Sequence, residues 1–276
     1  MTLPSFVVIG AAKCGTTSLA LYLQAHPEVY VASRKEVRFF DRHWEEGLDW
    51  YRGHFAGAGD ARAVGEASPS YLVDPRVPAR VAQTLPDAKL LVLLRDPVAR
   101  TLSAHHFAVG IGREQRDLET ALADELAGRD TGSFVPKYLE SGRYVEQLER
   151  WAEHVPRERL HVEMFEDLRD RPDEVFSSIC SYLGVDPTVR PDNLGRVYHA
   201  SYTFRWEWWR KAMQRYQLWD RLPLPVAYRI SALNRIERPY APADPALKAR
   251  LAEHFAESDA RLAEWLGRPL PWRADG

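Results

Sequence analysis

Along the first two-thirds of the chain, short apolar runs alternate with segments whose apolar residues recur every three or four positions. Five runs predict strands: Ser5 to Gly10, Val29 to Ala32, Ala63 to Glu66, Lys89 to Arg95, and Arg159 to Phe165. Helical periodicity predicts helices over Thr16 to Ala25, Pro75 to Leu85, Val98 to Gly110, Gly142 to His154 and Pro172 to Leu183. Their ends carry the expected punctuation. His26-Pro27 closes the first helix, and Asp96-Pro97 pairs an N-cap acid with a proline at the first helical position, where its missing donor costs nothing. Strands that alternate with helices predict an α/β fold of the P-loop-like, three-layer kind: a central parallel sheet flanked by helices and joined by right-handed crossovers. Ligands in such sheets bind beyond the carboxyl ends of the strands. The loops after Ile9, Ala32, Val64 and Leu94 are therefore the places to look for chemistry.

The segment from Gly110 to Thr131 is polar and reads as a helical insertion. Past Pro187 the sheet pattern stops, and Tyr198 to Leu266 reads as a helical, aromatic-rich tail broken at Arg221-Leu-Pro-Leu-Pro and Arg238-Pro-Tyr-Ala-Pro. The expected organisation is one domain over residues 1–276, with a core at about 5–185 and a C-terminal appendage at about 190–276. A net charge of −2 argues against a general nucleic-acid binder, which would normally be basic, but permits a local basic pocket. The two cysteines, Cys14 and Cys180, cannot build a disulfide framework and fit a reducing compartment. The first strand begins within five residues of the N-terminus, which leaves no room for a signal peptide, and no apolar run approaches the ~20 residues of a membrane span. The expectation is a cytoplasmic chain with no integral membrane segment.

The stretch Ile9-Gly-Ala-Ala-Lys-Cys-Gly-Thr-Thr-Ser18 nearly spells a phosphate-binding loop, G-x-x-x-x-G-K-[ST]. Gly10 and Gly15 have the right spacing, and Thr17 stands where a magnesium-binding hydroxyl belongs. Thr16 fills the lysine slot, however, and the lysine, Lys13, lies earlier in the loop. Backbone amides of a glycine-rich turn, backed by a helix N-terminus, form an anion site, and Thr16, Thr17 and Ser18 add hydroxyl donors. A magnesium-holding aspartate at the end of an apolar strand is missing, since Leu90 to Leu94 ends in Arg95. Arg95 and Ser103, on the following helix, form a second candidate anion site, to which a guanidinium brings a bidentate fork and a permanent charge.

Together, Lys13-Cys-Gly-Thr-Thr-Ser-Leu and Leu94-Arg-Asp-Pro-Val-Ala-Arg-Thr-Leu-Ser103 resemble the two donor-binding segments of sulfotransferases that use 3′-phosphoadenosine 5′-phosphosulfate (PAPS). Arg34-Lys-Glu-Val-Arg-Phe-Phe-Asp41 is most similar to the heparan-sulfate and related bacterial branch of that family. The resemblance implies sulfuryl transfer from PAPS, without a metal, to a hydroxyl of a small-molecule, lipid or saccharide acceptor, leaving adenosine 3′,5′-bisphosphate (PAP). It implies that Lys13, Cys14, Gly15, Thr16, Thr17 and Ser18 hold the 5′-phosphosulfate, and that Lys13 also stabilises the leaving oxygen. Arg95 and Ser103 would hold the 3′-phosphate, helped by Arg196 and Arg205 in the tail. Glu36 would be the general base, a role worth ~10²–10⁴-fold; His105 and His106 are the alternatives, with a pKa better suited to general-base chemistry.

In Gly65-Glu-Ala-Ser-Pro-Ser-Tyr71, Ser68 and Tyr71 are candidate acceptor contacts, as are His105 and His106. Heparan-type members often carry a lysine where Ala67 stands, which favours a small or amphiphilic acceptor over a long sulfated polysaccharide. The Trp-rich segment Tyr202-Thr-Phe-Arg-Trp-Glu-Trp-Trp-Arg-Lys could pack inward, line an acceptor pocket or form a homodimer face. Two other readings stay open: a nucleotide kinase or hydrolase with a degenerate P-loop, and a non-catalytic nucleotide-binding module.

Overall fold

The computed structural model describes residues 2–34, 36–111, 113–129, 137–196, 198, 202–204, 235–237 and 243–273. Five parallel strands form its sheet: β1 (Phe6–Gly10), β2 (Val29–Val31), β3 (Ala63–Ala67), β4 (Lys89–Leu94) and β5 (Leu160–Met164), in the order β2-β3-β1-β4-β5. Helices α1 (Thr16–Gln24), α2 (Gly47–Gly53), α3 (Val77–Thr84), α4 (Pro97–Gly110), α5 (Leu118–Leu126), α6 (Tyr144–Ala152), α7 (Phe165–Asp170) and α8 (Pro172–Leu183) fill the intervals. The predicted strands and helices are present with ends moved by at most two residues, and α8 matches at both ends. Arg159 and Phe165, for instance, fall outside β5, because Phe165 begins α7.

The two faces of the sheet account for the continuously apolar strands. Side chains alternate along a strand, and here both sides are covered. Val7, Ile9, Leu90, Val92 and Leu94 point into one core, with Tyr144, Leu148 and Trp151 of α6. Phe6, Val8, Leu91 and Leu93 point into the other, with Leu19, Leu23, Phe176 and Ile179 of α1 and α8. The chain builds β2 and β3 on one side of β1, then crosses to β4 and β5 on the other. That reversal puts the loops after β1 and β4 side by side at the carboxyl edge, where a crevice forms.

The C-terminal region departs from expectation in one respect. The long helix α9 (Pro245–Leu266) is present, but Tyr202–Phe204 (β6) and Arg235–Glu237 (β7) pair as an antiparallel two-stranded sheet where only helix was expected. Three-residue strands leave almost no periodicity to read, and their pairing depends on a partner far along the chain. The Trp-rich segment after Phe204, and with it the suggested dimer face, lies outside the described residues. Among the described residues no helix is long and apolar enough to cross a membrane.

Trp151 is fully buried, and its indole N–H donates to the Leu72 carbonyl at 3.3 Å, joining α6 to the turn after β3. Trp151→Ala should lower unfolding free energy by about 3–5 kcal/mol. Urea titration checks this, and a loss below about 1 kcal/mol would show that the site collapses around the smaller side chain.

Candidate active site

The loop after β1 is shaped by its neighbours. Gly15 takes φ 88°, ψ 8°, and a Cβ there would stand 2.7 Å from Phe165 Cδ2. Glycine is thus required twice, by the left-handed backbone and by the close approach of the α7 ring. Lys13 is also left-handed, at φ 74°. Gly15 starts α1 with no side-chain cap, as is also the case for α2, α3, α6, α7 and α8, whereas aspartates cap α4, α5 and α9. The first turn of α1 lies at the positive end of the helix dipole.

Cations surround that end. The Lys13 ammonium lies 4.1 Å from the centre of the Phe107 ring on α4. Ser103 is buried one turn earlier on that helix, so it shares a face with Phe107. Arg95 follows β4; its guanidinium sits 4.7 Å from the Phe165 ring, and one Nη lies 3.4 Å from the Lys13 carbonyl oxygen. The structure thus brings Lys13, Gly15, Arg95 and the first turn of α1 together. Asp96 serves the fold as the cap of α4. Its carboxylate caps Val98 N–H at 2.9 Å, and its own N–H donates to Glu166 at 3.1 Å.

Cys14 turns inward. Its Sγ lies 3.6 Å from Tyr144 Oη, which donates to the Arg95 carbonyl at 2.9 Å, so one tyrosine ties the loop to the end of β4. Its amide donates to the Ala11 carbonyl at 3.2 Å. Cys14 thus anchors the loop from within, and burial pushes its thiol up to about 11. Thr16 is buried and Thr17 half-buried at the head of α1. Ser18 Oγ accepts the Tyr198 amide at 3.2 Å, and Tyr22 Oη donates to the Arg196 carbonyl at 2.7 Å. The chain beyond α8 therefore crosses α1, and β6 lies beside α4. Arg196 is exposed on this crossing, while Arg205 lies outside the described residues.

Glu36 is half-buried in the loop after β2. That loop is held at the same edge of the sheet by the turn after β3. Ser68 N–H donates to Val8 O at 3.0 Å, and Ser68 Oγ accepts Arg38 N–H at 3.0 Å. Ser68 and Tyr71, however, have no exposed surface, and both hydroxyls donate to Glu66, at 2.6 and 3.0 Å. Both lie behind the loop that carries Glu36. His105 is buried as well, and its Nε2 lies 3.0 Å from the Arg116 carbonyl in the insertion. His106 is half-buried, and burial lowers its pKa.

Sequence reasoning assigned no role to Glu66. It is fully buried near the end of β3 and accepts from Tyr51 Oη at 2.8 Å in addition to Ser68 and Tyr71. Burial pushes its carboxyl up to about 7, against the three hydroxyl donors, which favour the charged form. The available signal was an acid inside a strand otherwise made of small apolar residues.

A sulfotransferase domain model matches residues 3–204, and the chain belongs to the sulfotransferase family. It is 29% identical to the crystal structure of a sulfotransferase from Alicyclobacillus acidocaldarius, with 98% of each chain covered and a TM-score of 0.76. It is 27% identical to the membrane-associated sulfotransferase kil1 of Dictyostelium discoideum, over 67% of this chain and 57% of that protein. It is 31% identical to human heparan sulfate glucosamine 3-O-sulfotransferase 3B1, over 66% of this chain and 46% of that protein. The chain spans about half the length of these two relatives.

The Glu66 shift has a definite sign. Its folded pKa of about 7 lies above the ordinary 4.5, so the folded state binds the proton more tightly. Its contribution to stability is therefore greatest in acid and is lost as pH rises through about 7. The stability of the wild type relative to Glu66→Gln should fall by roughly 3 kcal/mol between pH ~4.5 and pH ~8. Denaturant titrations at several pH values would read this, and a constant difference would place the carboxyl at its ordinary value.

Proposed function

We propose that this protein transfers a sulfuryl group from PAPS to an acceptor hydroxyl. The observation that carries the reading is the uncapped start of α1 behind left-handed Gly15, flanked by Lys13 and Arg95. Backbone amides and two cations at one helix end suit an anion with charge at both its 5′ and 3′ positions. β4 runs into Arg95 where a magnesium-holding aspartate would stand, and the loop lysine is displaced to Lys13, which speaks against the nucleotide kinase or hydrolase alternative. When bound, the donor would supply an activated sulfuryl group.

In this reading Gly15 and the α1 amides, with Thr16 and Thr17, orient the phosphosulfate. Lys13 offsets the charge that develops on the leaving oxygen. Arg95 and Ser103 hold the 3′-phosphate, with Arg196 approaching from the tail crossing. Glu36 takes the acceptor proton. In-line displacement leaves most of the rate to positioning and fixed charge. The Tyr22 hydroxyl of α1, which donates to the Arg196 carbonyl, and the Tyr198 amide, which donates to Ser18 of α1, support reading residues 1–276 as one domain. For the acceptor, the glucosamine hydroxyl in the relatives' names is the natural model, but Ala67 is buried and brings no cation to a polyanion. A small or amphiphilic alcohol or saccharide fits that better.

Calorimetry with PAP against ATP–magnesium tests the donor, and tighter binding of ATP–magnesium would overturn the assignment. Lys13→Ala should slow turnover ~10²–10³-fold with little change in PAP affinity. Arg95→Ala should weaken PAP binding by roughly 10-fold or more, since it removes a charged hydrogen bond. Rates would be measured with labelled donor over a panel of hydroxyl acceptors; wild-type turnover by Lys13→Ala would remove the role given to that lysine.

A further inference from the structure

The loop that carries Glu36 has no regular secondary structure between β2 and the turn at Phe39, yet a general base must point in one direction. Arg38 holds a left-handed backbone at φ 59°, which an L-residue keeps only when its surroundings impose it. From outside, Arg80 donates to Phe40 O at 2.6 Å, Arg76 donates to Asp41 O at 3.0 Å, and the Arg38 guanidinium pairs with Asp41. From inside, the loop meets three hydroxyl-bearing side chains, all of which converge on one buried carboxylate.

We propose that Glu66 is a positioning residue for Glu36, fixing the 38–40 backbone through the Ser68 and Tyr71 hydroxyls and the Tyr51 ring. The proposal rests on the reading of Glu36 as the base. A hydroxyl has one proton and two lone pairs. Ser68 gives its proton to Glu66 Oε2 at 2.6 Å, which turns a lone pair toward Arg38 N–H, 3.0 Å away. Tyr71 gives its proton to Glu66 Oε1 at 3.0 Å and accepts Phe40 N–H at 3.4 Å. Tyr51 donates to the same oxygen at 2.8 Å and lays its ring on Phe39, with centroids 4.4 Å apart and planes 11° from parallel.

One carboxylate thus sets three groups that hold three consecutive residues, beginning two positions after Glu36. Chains of this kind polarise each link, so the backbone bonds are stronger than isolated hydroxyl contacts. An apolar residue at position 66 would fill the strand equally well, but would leave the hydroxyl protons free to rotate onto the loop. The amides of Arg38 and Phe40 would then meet hydroxyls whose direction nothing fixes. Glu66 itself has no exposed surface and touches no substrate, so its effect passes entirely through the loop.

Amide hydrogen exchange by NMR tests the relay directly. In Glu66→Gln, the Arg38 and Phe40 amides should exchange about tenfold faster or more, while the β1 amides keep their wild-type rates. PAP affinity by calorimetry and donor KM should be unchanged, and kcat should fall. Adding Glu66→Gln to Glu36→Gln should cause no further loss, since a residue that acts through another is not additive with it. Should Glu66→Gln fail to fold, Ser68→Ala should release the Arg38 amide alone, and Tyr71→Phe the Phe40 amide alone. Unchanged exchange at both amides overturns the proposal, as does a kcat loss that persists in the Glu36→Gln background. Wild-type turnover by Glu36→Gln would instead remove the base assignment, and the exchange rates would still report on the relay by themselves.

Discussion

The start of α1 behind left-handed Gly15 is the point on which the loops after β1 and β4 and the first turn of α7 converge. Gly15 can start the helix only because its left-handed backbone lets Phe165 pack where a Cβ would stand. Tyr144 ties the buried Cys14 to the carbonyl of Arg95, and Arg95 in turn reaches the Lys13 carbonyl. The order β2-β3-β1-β4-β5 puts β1 and β4 side by side, so the two cation-bearing loops share a crevice that neither could form alone. Positive charge held in place before the ligand arrives needs no reorganisation during reaction, which is the source of its catalytic value.

The second half of the candidate site is built on a different principle. Where Lys13 and Arg95 gather beside the start of α1, the Glu36 loop is held by hydroxyls and aromatic faces around a carboxylate with no exposed surface. Burying Glu66 is costly, and the elevated pKa records that cost. The return is direction, because a buried network whose members are all satisfied specifies one arrangement. Ser68 joins the halves, since it bonds β1 through its amide and the Glu36 loop through its hydroxyl.

The parallel sheet and the phosphate-binding loop were legible because both are local. A strand buried on two faces must be apolar throughout, and a left-handed turn ahead of a helix calls for glycine at a fixed offset. Lys13 and Gly15 accordingly lie between β1 and α1, and Arg95 directly after β4. That Ser68, Tyr71 and His105 are buried could not be read, because sequence gives the residue type and not its exposure. A serine after a strand reads as a turn residue whether or not a carboxylate lies beneath it. The β6 and β7 pairing was missed for a related reason: Tyr202 meets Glu237 only through tertiary folding.

The sequence by itself determined the layered α/β class, the glycine-bearing turn between β1 and α1 and the displacement of its lysine, since covalent spacing and side-chain period fix these within a few residues. Only the tertiary structure decided which hydroxyls face the crevice and which serve Glu66, and that the chain beyond α8 crosses α1. Those outcomes depend on burial and on the direction of single hydrogen bonds between residues as far apart as Tyr51 and Glu66, or Ser18 and Tyr198. Such bonds exist only once the sheet has brought their partners within reach and excluded the water that would otherwise replace them.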